Sequence, residues 1–214
     1  MVATEKKKSS LARAVFSGSL GNMLEWFDYG LYGYFAAIIS ADFFVADDPI
    51  VGLLLSFLVF GTGFLVRPIG GILIGAYADK HGRIKALTLT ILCMGVCTML
   101  MGCLPTYSQV GILAPILLTV LRLLQGLATG GEFGSSLTFI SEYGTPNNRA
   151  FPFAAGSRSA LAAVCFWAPL PVCSSRRSCP KPLCTIGGWR VPFLFGILIA
   201  FYGMHMRKNV PRFP

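Results

Sequence analysis

The chain has 214 residues, of which 54% are hydrophobic and only 13% charged, and its mean hydropathy is +0.66. Soluble globular domains carry about a quarter charged residues, so this composition excludes an ordinary soluble fold. The formal charge of +9 is scattered through short gaps between apolar runs, whereas nucleic-acid binding requires basic residues gathered on one exposed face. We therefore predict an integral membrane protein that contacts the lipid bilayer and binds no nucleic acid.

Apolar runs close to the ~20 residues needed to cross the hydrocarbon core recur along the chain. Backbone groups in lipid must be hydrogen-bonded internally, and these runs are too long and too evenly apolar for barrel strands, so they predict helices. The predicted fold is an all-α membrane protein with a six-helix transmembrane bundle over 15–206. Its segments are 15–40, 50–77, 85–105, 111–142, 151–173 and 189–206.

The distribution of Lys and Arg predicts the orientation of the bundle. Basic residues precede the first segment and follow the second, fourth and sixth, whereas the gaps "ADFFVADDP" and "PTYSQVG" contain none. Because Lys and Arg concentrate on the cytoplasmic side, residues 1–14 and 207–214 are both predicted to be cytoplasmic.

The fifth segment departs from this pattern. The gap that follows it, "SSRRSCPKP", should face outward, yet it contains three basic residues. Pro169 and Pro171 each remove a backbone donor from the segment itself. Since "GGWRVPF" then restores the expected register, we hypothesise two compensating reading-frame shifts across 151–187 and a later stop codon that truncates the chain at 207–214.

A charged loop, "GAYADKHGRIK", separates the second and third segments. Asp79 lies where the second helix should end, Gly82 permits a tight turn, and Arg83 and Lys85 can pair with an acid or with carbonyls at a helix end. Together with Gly75, these residues match a G-x-x-x-D-x-x-G-R-x-K pattern. The loop therefore resembles the signature loop of the major facilitator superfamily. The resemblance implies a gating loop that latches the two halves of a transporter together on the inside.

Three further stretches narrow the resemblance. "RLLQGLATGGEFG", "GNMLEWFDYGLYGYF" and "FGTGFLVRPIGGILIGAYADKHGR" are similar to the metabolite:proton symporter branch of that superfamily, and most of all to its citrate-proton symporters. The similarity covers roughly 18–150 and resumes at "GWRVPFLFG". It implies the N-terminal half of a twelve-helix transporter, which would need the missing C-terminal half or a second copy.

The function implied by the resemblance is proton-coupled symport of a small organic acid such as citrate across the cell inner (plasma) membrane. Alternative substrates are an osmolyte such as proline or betaine, shikimate, or 2-oxoglutarate. A non-transporting membrane remnant is a further alternative. An enzyme is not predicted: His81 and His205 are far apart in sequence, and no nucleophile, phosphate loop, metal cluster or cofactor motif accompanies them.

Five ionisable residues within the predicted spans stand out as candidates: Glu25, Asp28, Arg67, Arg122 and Glu132. An ionised side chain at mid-bilayer costs about 2.5–3.5 kcal/mol even on the lowest scales, so each is a functional hypothesis. The helical rise places Glu25, Asp28 and Arg122 near the midplane and the other two nearer the cytoplasm.

A polar stripe on the first helix supports these assignments, because Asn22, Glu25, Asp28, Tyr29 and Tyr32 share about a third of its circumference. Such a stripe is typical of a wall facing a water-filled cavity. The predicted proton-coupling residues are Glu25, Asp28 and Glu132; the predicted substrate-binding residues are Arg122, Arg67, Tyr29, Tyr32 and Asn22.

The alternative for these charges is a set of fixed ion pairs that hold the bundle together. It applies especially to Arg67 and Glu132, since groups near helix ends can reach water. Arg67 can equally serve as a second anchor or as a counter-ion. The closely spaced glycines of "GTGFLVRPIGGILIG" predict close approach of helix backbones in lipid.

Overall fold

The computed structural model describes residues 2–143 and 188–208, and every element within these ranges is helical. The all-α prediction is therefore confirmed for the described residues. The helices are α1 (Val2–Phe43), α2 (Pro49–His81), α3 (Arg83–Cys103), the single turn α4 (Tyr107–Val110), α5 (Leu113–Tyr143) and α6 (Arg190–Lys208).

Three helices of the described part are long and apolar enough to cross a membrane: α2, α3 and the stretch Leu113–Ser136 of α5. The predicted first segment lies within α1, and the predicted sixth, 189–206, overlaps α6. The predicted fifth segment, 151–173, and the anomalous block 151–187 lie outside the described residues. A bundle of six spans stays a prediction.

Helix α2 has sequence-encoded ends. Asp48 caps its start, because the Asp48 carboxylate accepts a hydrogen bond of 2.8 Å from the backbone N–H of Ile50, and Pro49 fills the first helical position, where no donor is needed. At the other end Gly82 adopts a φ of +92°, which side chains with a Cβ rarely tolerate. The link between α2 and α3 is thus one glycine long.

Glycines bring α2 and α5 into backbone contact. A Cβ added to Gly126 would overlap the carbonyl of Gly63, and one added to Gly130 would overlap the carbonyl of Arg67. Gly70 lies equally close to the carbonyl of Leu127. Small residues permit such approach where lipid supplies no hydrophobic driving force, and the contact places the α2 turn at Arg67 beside α5.

A second glycine seam joins α3 and α6. A Cβ on Gly95 would overlap Ala200, and one on Gly203 would overlap Ile91. Helix α1 contacts α2, α3, α5 and α6 and contributes the largest share of the buried core, including Leu24, Leu31 and Phe35 of α1. Glu25 and Asp28 of α1 are therefore held among neighbouring helices.

The outer face of α2 is apolar and exposed, with Leu65 78% accessible and Leu54, Leu58 and Ile72 more than half accessible. A row of large aliphatic side chains on one helix face is unfavourable in water and suited to hydrocarbon. This face is oriented for contact with lipid or with another apolar helix.

Candidate functional site

Asp28 of α1 and Arg122 of α5 form an ion pair in the centre of the bundle. Arg122 Nη1 lies 2.5 Å from Asp28 Oδ2, and the two side chains are 3% and 5% exposed. Gln125, one turn along α5, donates from Nε2 to Asp28 Oδ1 over 3.2 Å and to Thr98 Oγ1 of α3 over 2.8 Å. The pair is therefore hydrogen-bonded from two further side chains rather than isolated in hydrocarbon.

Aromatic rings enclose the Arg122 guanidinium. Its Cζ atom lies 4.1 Å from the centroid of the Tyr32 ring and 5.1 Å from that of Phe60, which stabilises the cation through the ring faces. The Tyr32 hydroxyl donates over 2.9 Å to the carbonyl oxygen of Ser56 on α2, so this ring is fixed between α1, α2 and α5.

A second ion pair joins α1 to α2. Arg67 Nη2 lies 2.6 Å from Glu25 Oε1, and the side chains are 29% and 11% exposed. The Tyr29 hydroxyl donates to the same Glu25 oxygen over 2.8 Å, and the Arg67 guanidinium lies 4.4 Å from the Phe64 ring centroid. This pair is more accessible than that of Asp28 and Arg122.

The arginines of the two pairs, Arg67 and Arg122, line one open recess between α1, α2 and α5. The lining residues are Tyr29, Phe60, Gly63, Phe64, Arg67, Arg122, Gln125, Gly126 and Thr129. These side chains give the wall aromatic faces, two guanidinium groups, an amide and a hydroxyl. Such a mixture of apolar surface and a few polar groups is typical of small-molecule sites.

Glu132 forms a separate cluster away from this recess. Arg207 Nη2 of α6 lies 2.5 Å from Glu132 Oε1, and both side chains are at most 3% exposed. The Thr90 hydroxyl of α3 donates to the same carboxylate, and Arg207 also donates to the Leu87 carbonyl. Glu132 therefore lies in a buried ion pair, the alternative weighed for it above, and Arg207, which was placed in the cytoplasmic end 207–214, is buried within α6.

The remaining substrate-binding candidates differ in position. Arg122, Arg67 and Tyr29 line the recess, while Tyr32 supports Arg122 from the side and is fully buried. Asn22 is half-buried on α1, and the described residues around the recess do not include it.

The gating-loop residues lie around the joint between α2 and α3. Gly75 and Asp79 are on the last turns of α2, Gly82 forms the turn, and Arg83 and Lys85 are in the first turn of α3. Asp79 and Lys85 are exposed, whereas Arg83 is half-buried. The loop thus presents charge of both signs at one end of the bundle.

Sequence reasoning did not assign roles to Gln125, Thr98, Ser56 or Thr129. Gln125 follows Arg122 by three residues, a spacing that places both on one helix face, so the motif "RLLQG" carried a usable signal. Thr98 and Ser56 lie in apolar runs without any charged neighbour, and only the packing of α3 and α2 against α1 and α5 brings them to the site.

Residues 14–213 match the family described as sugar (and other) transporter, which is nearly the whole chain. The chain belongs to this family of the major facilitator superfamily. Members of the superfamily are transporters rather than enzymes, and the apolar helices identify this one as a multi-pass membrane protein. The resemblance in the loop and in α5 is confirmed.

Curated relatives within the superfamily have differing substrates in their names. The chain is 34% identical over its whole length to a putative proline/betaine transporter of Staphylococcus aureus, covering 45% of that protein. It is 38% identical over 92% of its length to a citrate-proton symporter of Klebsiella pneumoniae, covering 44% of it. It is also 34% identical over 95% of its length to a glycine betaine/proline/ectoine/pipecolic acid transporter of Dickeya dadantii, covering 40% of that protein.

Solved transporter structures share the fold. The proton:xylose symporter XylE superposes with a TM-score of 0.75 at 15% identity, over 96% of this chain and 46% of XylE. A double tryptophan mutant of XylE gives 0.77 at 16% identity, over 95% of this chain and 45% of the other. The chain therefore spans less than half the length of the relatives it matches.

Proposed function

We propose that this chain is a six-helix half of a secondary active transporter that couples movement of a small carboxylate-bearing solute to that of protons. It lies in the cell inner membrane with both termini and the joint between α2 and α3 on the cytoplasmic side. The observation that supports this best is the buried pair of Asp28 and Arg122 beside the recess. Paired charges inside a membrane bundle are costly and mark proton and solute pathways.

Asp28 and Glu25 are the proposed proton carriers. Each carboxylate contacts one arginine, so protonating either removes the charge that its arginine compensates and weakens the contact. The arginine then gains an unpaired charge in low dielectric, which favours binding an anionic group in its place. Uptake of a proton and of a carboxylate are thereby linked.

Arg122 is the proposed substrate anchor. Within the described residues, its Nε and Nη2 atoms are buried and have no hydrogen-bond partner, and Nε of Arg67 is in the same state. A guanidinium edge with two unpaired donors matches the two oxygens of a carboxylate. Tyr29 and Arg67 are proposed to contact the solute from the same wall, with Tyr32 and Asn22 contributing from α1.

Glu132 fits the alternative of a fixed ion pair better than a proton carrier, because it is fully paired with Arg207 and Thr90 and does not border the recess. The exposed charges of Asp79 and Lys85 remain available for the proposed latch with the other half. Gly82, which alone forms the turn, keeps them at the ends of α2 and α3.

An organic acid such as citrate is the first substrate candidate, with shikimate and 2-oxoglutarate as related ones. A zwitterionic osmolyte such as proline or betaine is the second, and the charge balance is compatible with it, because the Glu25 and Asp28 carboxylates offset the charges of the two arginines that line the recess. Its carboxylate would contact Arg122, and its cationic group would contact the rings of Tyr29 and Phe64.

Uptake by vesicles tests the proposal against the alternative of an inactive remnant. Vesicles holding the 214-residue chain, acid outside, are supplied with labelled citrate, 2-oxoglutarate, shikimate, proline or glycine betaine. We expect one of these to accumulate above its external level and to leak out when a protonophore collapses the gradient. Because a half needs a second copy, uptake per chain should rise with protein density. Uptake equal to that of protein-free vesicles for all five would support the remnant.

A further inference from the structure

The Gln125 side chain occupies the centre of the buried network. Its carbonyl oxygen accepts a hydrogen bond of 2.9 Å from Arg122 Nη1, while its amide nitrogen donates to Asp28 and to Thr98. Gln125 also lines the recess and is 6% exposed. The Gln125 amide is neutral and does not take up a proton, so any effect of Gln125 on proton coupling must act through its neighbours.

The hydrogen bonds around Asp28 can be assigned proton by proton. Arg122 Nη1 has two protons, which are directed to Asp28 Oδ2 and to Gln125 Oε1. The Gln125 amide has two protons, which are directed to Asp28 Oδ1 and to Thr98 Oγ1. Thr98 can donate its own proton to the Met94 carbonyl at 3.0 Å. Each of these five protons has one acceptor, and each Asp28 oxygen receives a proton from a different residue.

This arrangement suits a carboxylate at Asp28, because both of its oxygens accept hydrogen bonds. The opposite amide orientation would direct the Gln125 oxygen at the Asp28 carboxylate and its N–H groups at the Arg122 cation, which is repulsive at both ends. The ion pair therefore orients the amide, and the amide in turn donates to the charged form of Asp28. A hydrogen bond to a charged group is worth more than one between neutral groups.

We propose that Gln125 is a positioning residue that holds Asp28 in its ionised, Arg122-paired state and so sets the pH at which Asp28 takes up a proton. Its role in transport rests on the proposed function, but its effect on Asp28 does not. When Asp28 is protonated, its new O–H can donate to the Gln125 oxygen only if the amide rotates, which breaks the bonds to Arg122 and Thr98. Gln125 thereby opposes protonation until the network rearranges.

Within residues 2–143 and 188–208, the other ionisable side chains near Asp28 do not hydrogen-bond to it. Glu25 and Tyr32 share α1 with it; Glu25 pairs with Arg67 of α2, and the Tyr32 hydroxyl donates to Ser56. The Cys97 thiol of α3 is buried nearby. On the described part of α6 the buried cation Arg207 pairs with Glu132. Arg122 and Gln125 of α5, with the Thr98 hydroxyl 3.4 Å away, are the groups that act on Asp28 directly.

The test is an infrared pH titration of the full chain in lipid vesicles. The carboxyl band of Asp28 is assigned by its loss in Asp28→Asn, and its midpoint is compared between the natural chain and Gln125→Met, which keeps the length of the side chain but not the amide. Loss of a donor to the ionised form should move the midpoint upward by about one pH unit or more. Thr98→Val, which frees the amide on one side, should move it upward by less.

Thr129→Val is the matched control, because its hydroxyl also borders the recess but donates to the Gln125 backbone carbonyl rather than to Asp28. We expect no shift from it, and the same helix content by circular dichroism in all three variants. An equal midpoint in the natural chain and in folded Gln125→Met, or an Asp28 band that titrates in neither, overturns the proposal. Since the titration needs no solute, a chain that fails to transport leaves this result intact.

Discussion

At the residue scale, Arg122 illustrates what the sequence specifies and what it does not. Counting helical residues predicts its depth in the membrane, and its charge predicts a functional role. Its partner did not follow, because Glu25 and Asp28 lie within one turn of α1 and a depth estimate carries an error of several residues. The structure selects Asp28 for Arg122 and Glu25 for Arg67.

The substitution Arg122→Lys separates charge from shape. Lysine keeps the positive charge but lacks the planar edge that binds two carboxylate oxygens, so we expect solute affinity to fall about tenfold or more, as loss of a charge-assisted hydrogen bond implies. Equilibrium binding of the labelled solute to the purified chain in lipid measures the change.

Arg67→Lys is the matched comparison, since Arg67 is more exposed and already pairs with Glu25 and lies near Tyr29. A smaller loss is expected from it than from Arg122→Lys, with both variants inserted in the membrane. Unchanged affinity in Arg122→Lys would remove Arg122 from the solute site.

At the element scale, the glycine-rich stretch of α2 was expected to let helices approach, but the sequence could not say which glycines do so. Gly63 and Gly70 meet α5, whereas a Cβ on Gly61 or Gly75 would contact none of the residues that the structure describes. The difference depends on the rotation of α2 about its axis, which is set by packing. The sequence did not predict the pair of Glu132 and Arg207, because Arg207 was assigned to the end of the chain rather than to a helix.

Two alanine substitutions test the seam between α2 and α5. Gly126→Ala should lower the free energy of unfolding in detergent by about 1–3 kcal/mol, because its Cβ would overlap the Gly63 carbonyl and neither backbone can move freely. Gly61→Ala, on the open side of α2, should leave stability unchanged or raise it by up to about 1 kcal/mol, since alanine favours the helix. Denaturant unfolding monitored by circular dichroism measures both, and equal effects would contradict a backbone seam.

At the scale of the whole molecule, hydropathy and charge placement were enough to predict an all-α membrane protein, because the bilayer leaves few ways to satisfy a backbone. The family followed from the resemblance of the loop at Gly82 and of "RLLQG" to the motifs of that superfamily. The substrate did not follow, since solute contacts depend on side chains from two halves, and relatives of this chain are named for both citrate and betaine.

The most direct measurement is proton movement driven by the solute itself. Vesicles holding the chain, with a pH-sensitive dye trapped inside and no imposed gradient, receive the transported solute. We predict that the lumen acidifies as protons enter with the solute, and that Asp28→Asn vesicles show no acidification. Entry of the solute without acidification, or full acidification in the Asp28→Asn vesicles, would contradict proton coupling through the buried pair.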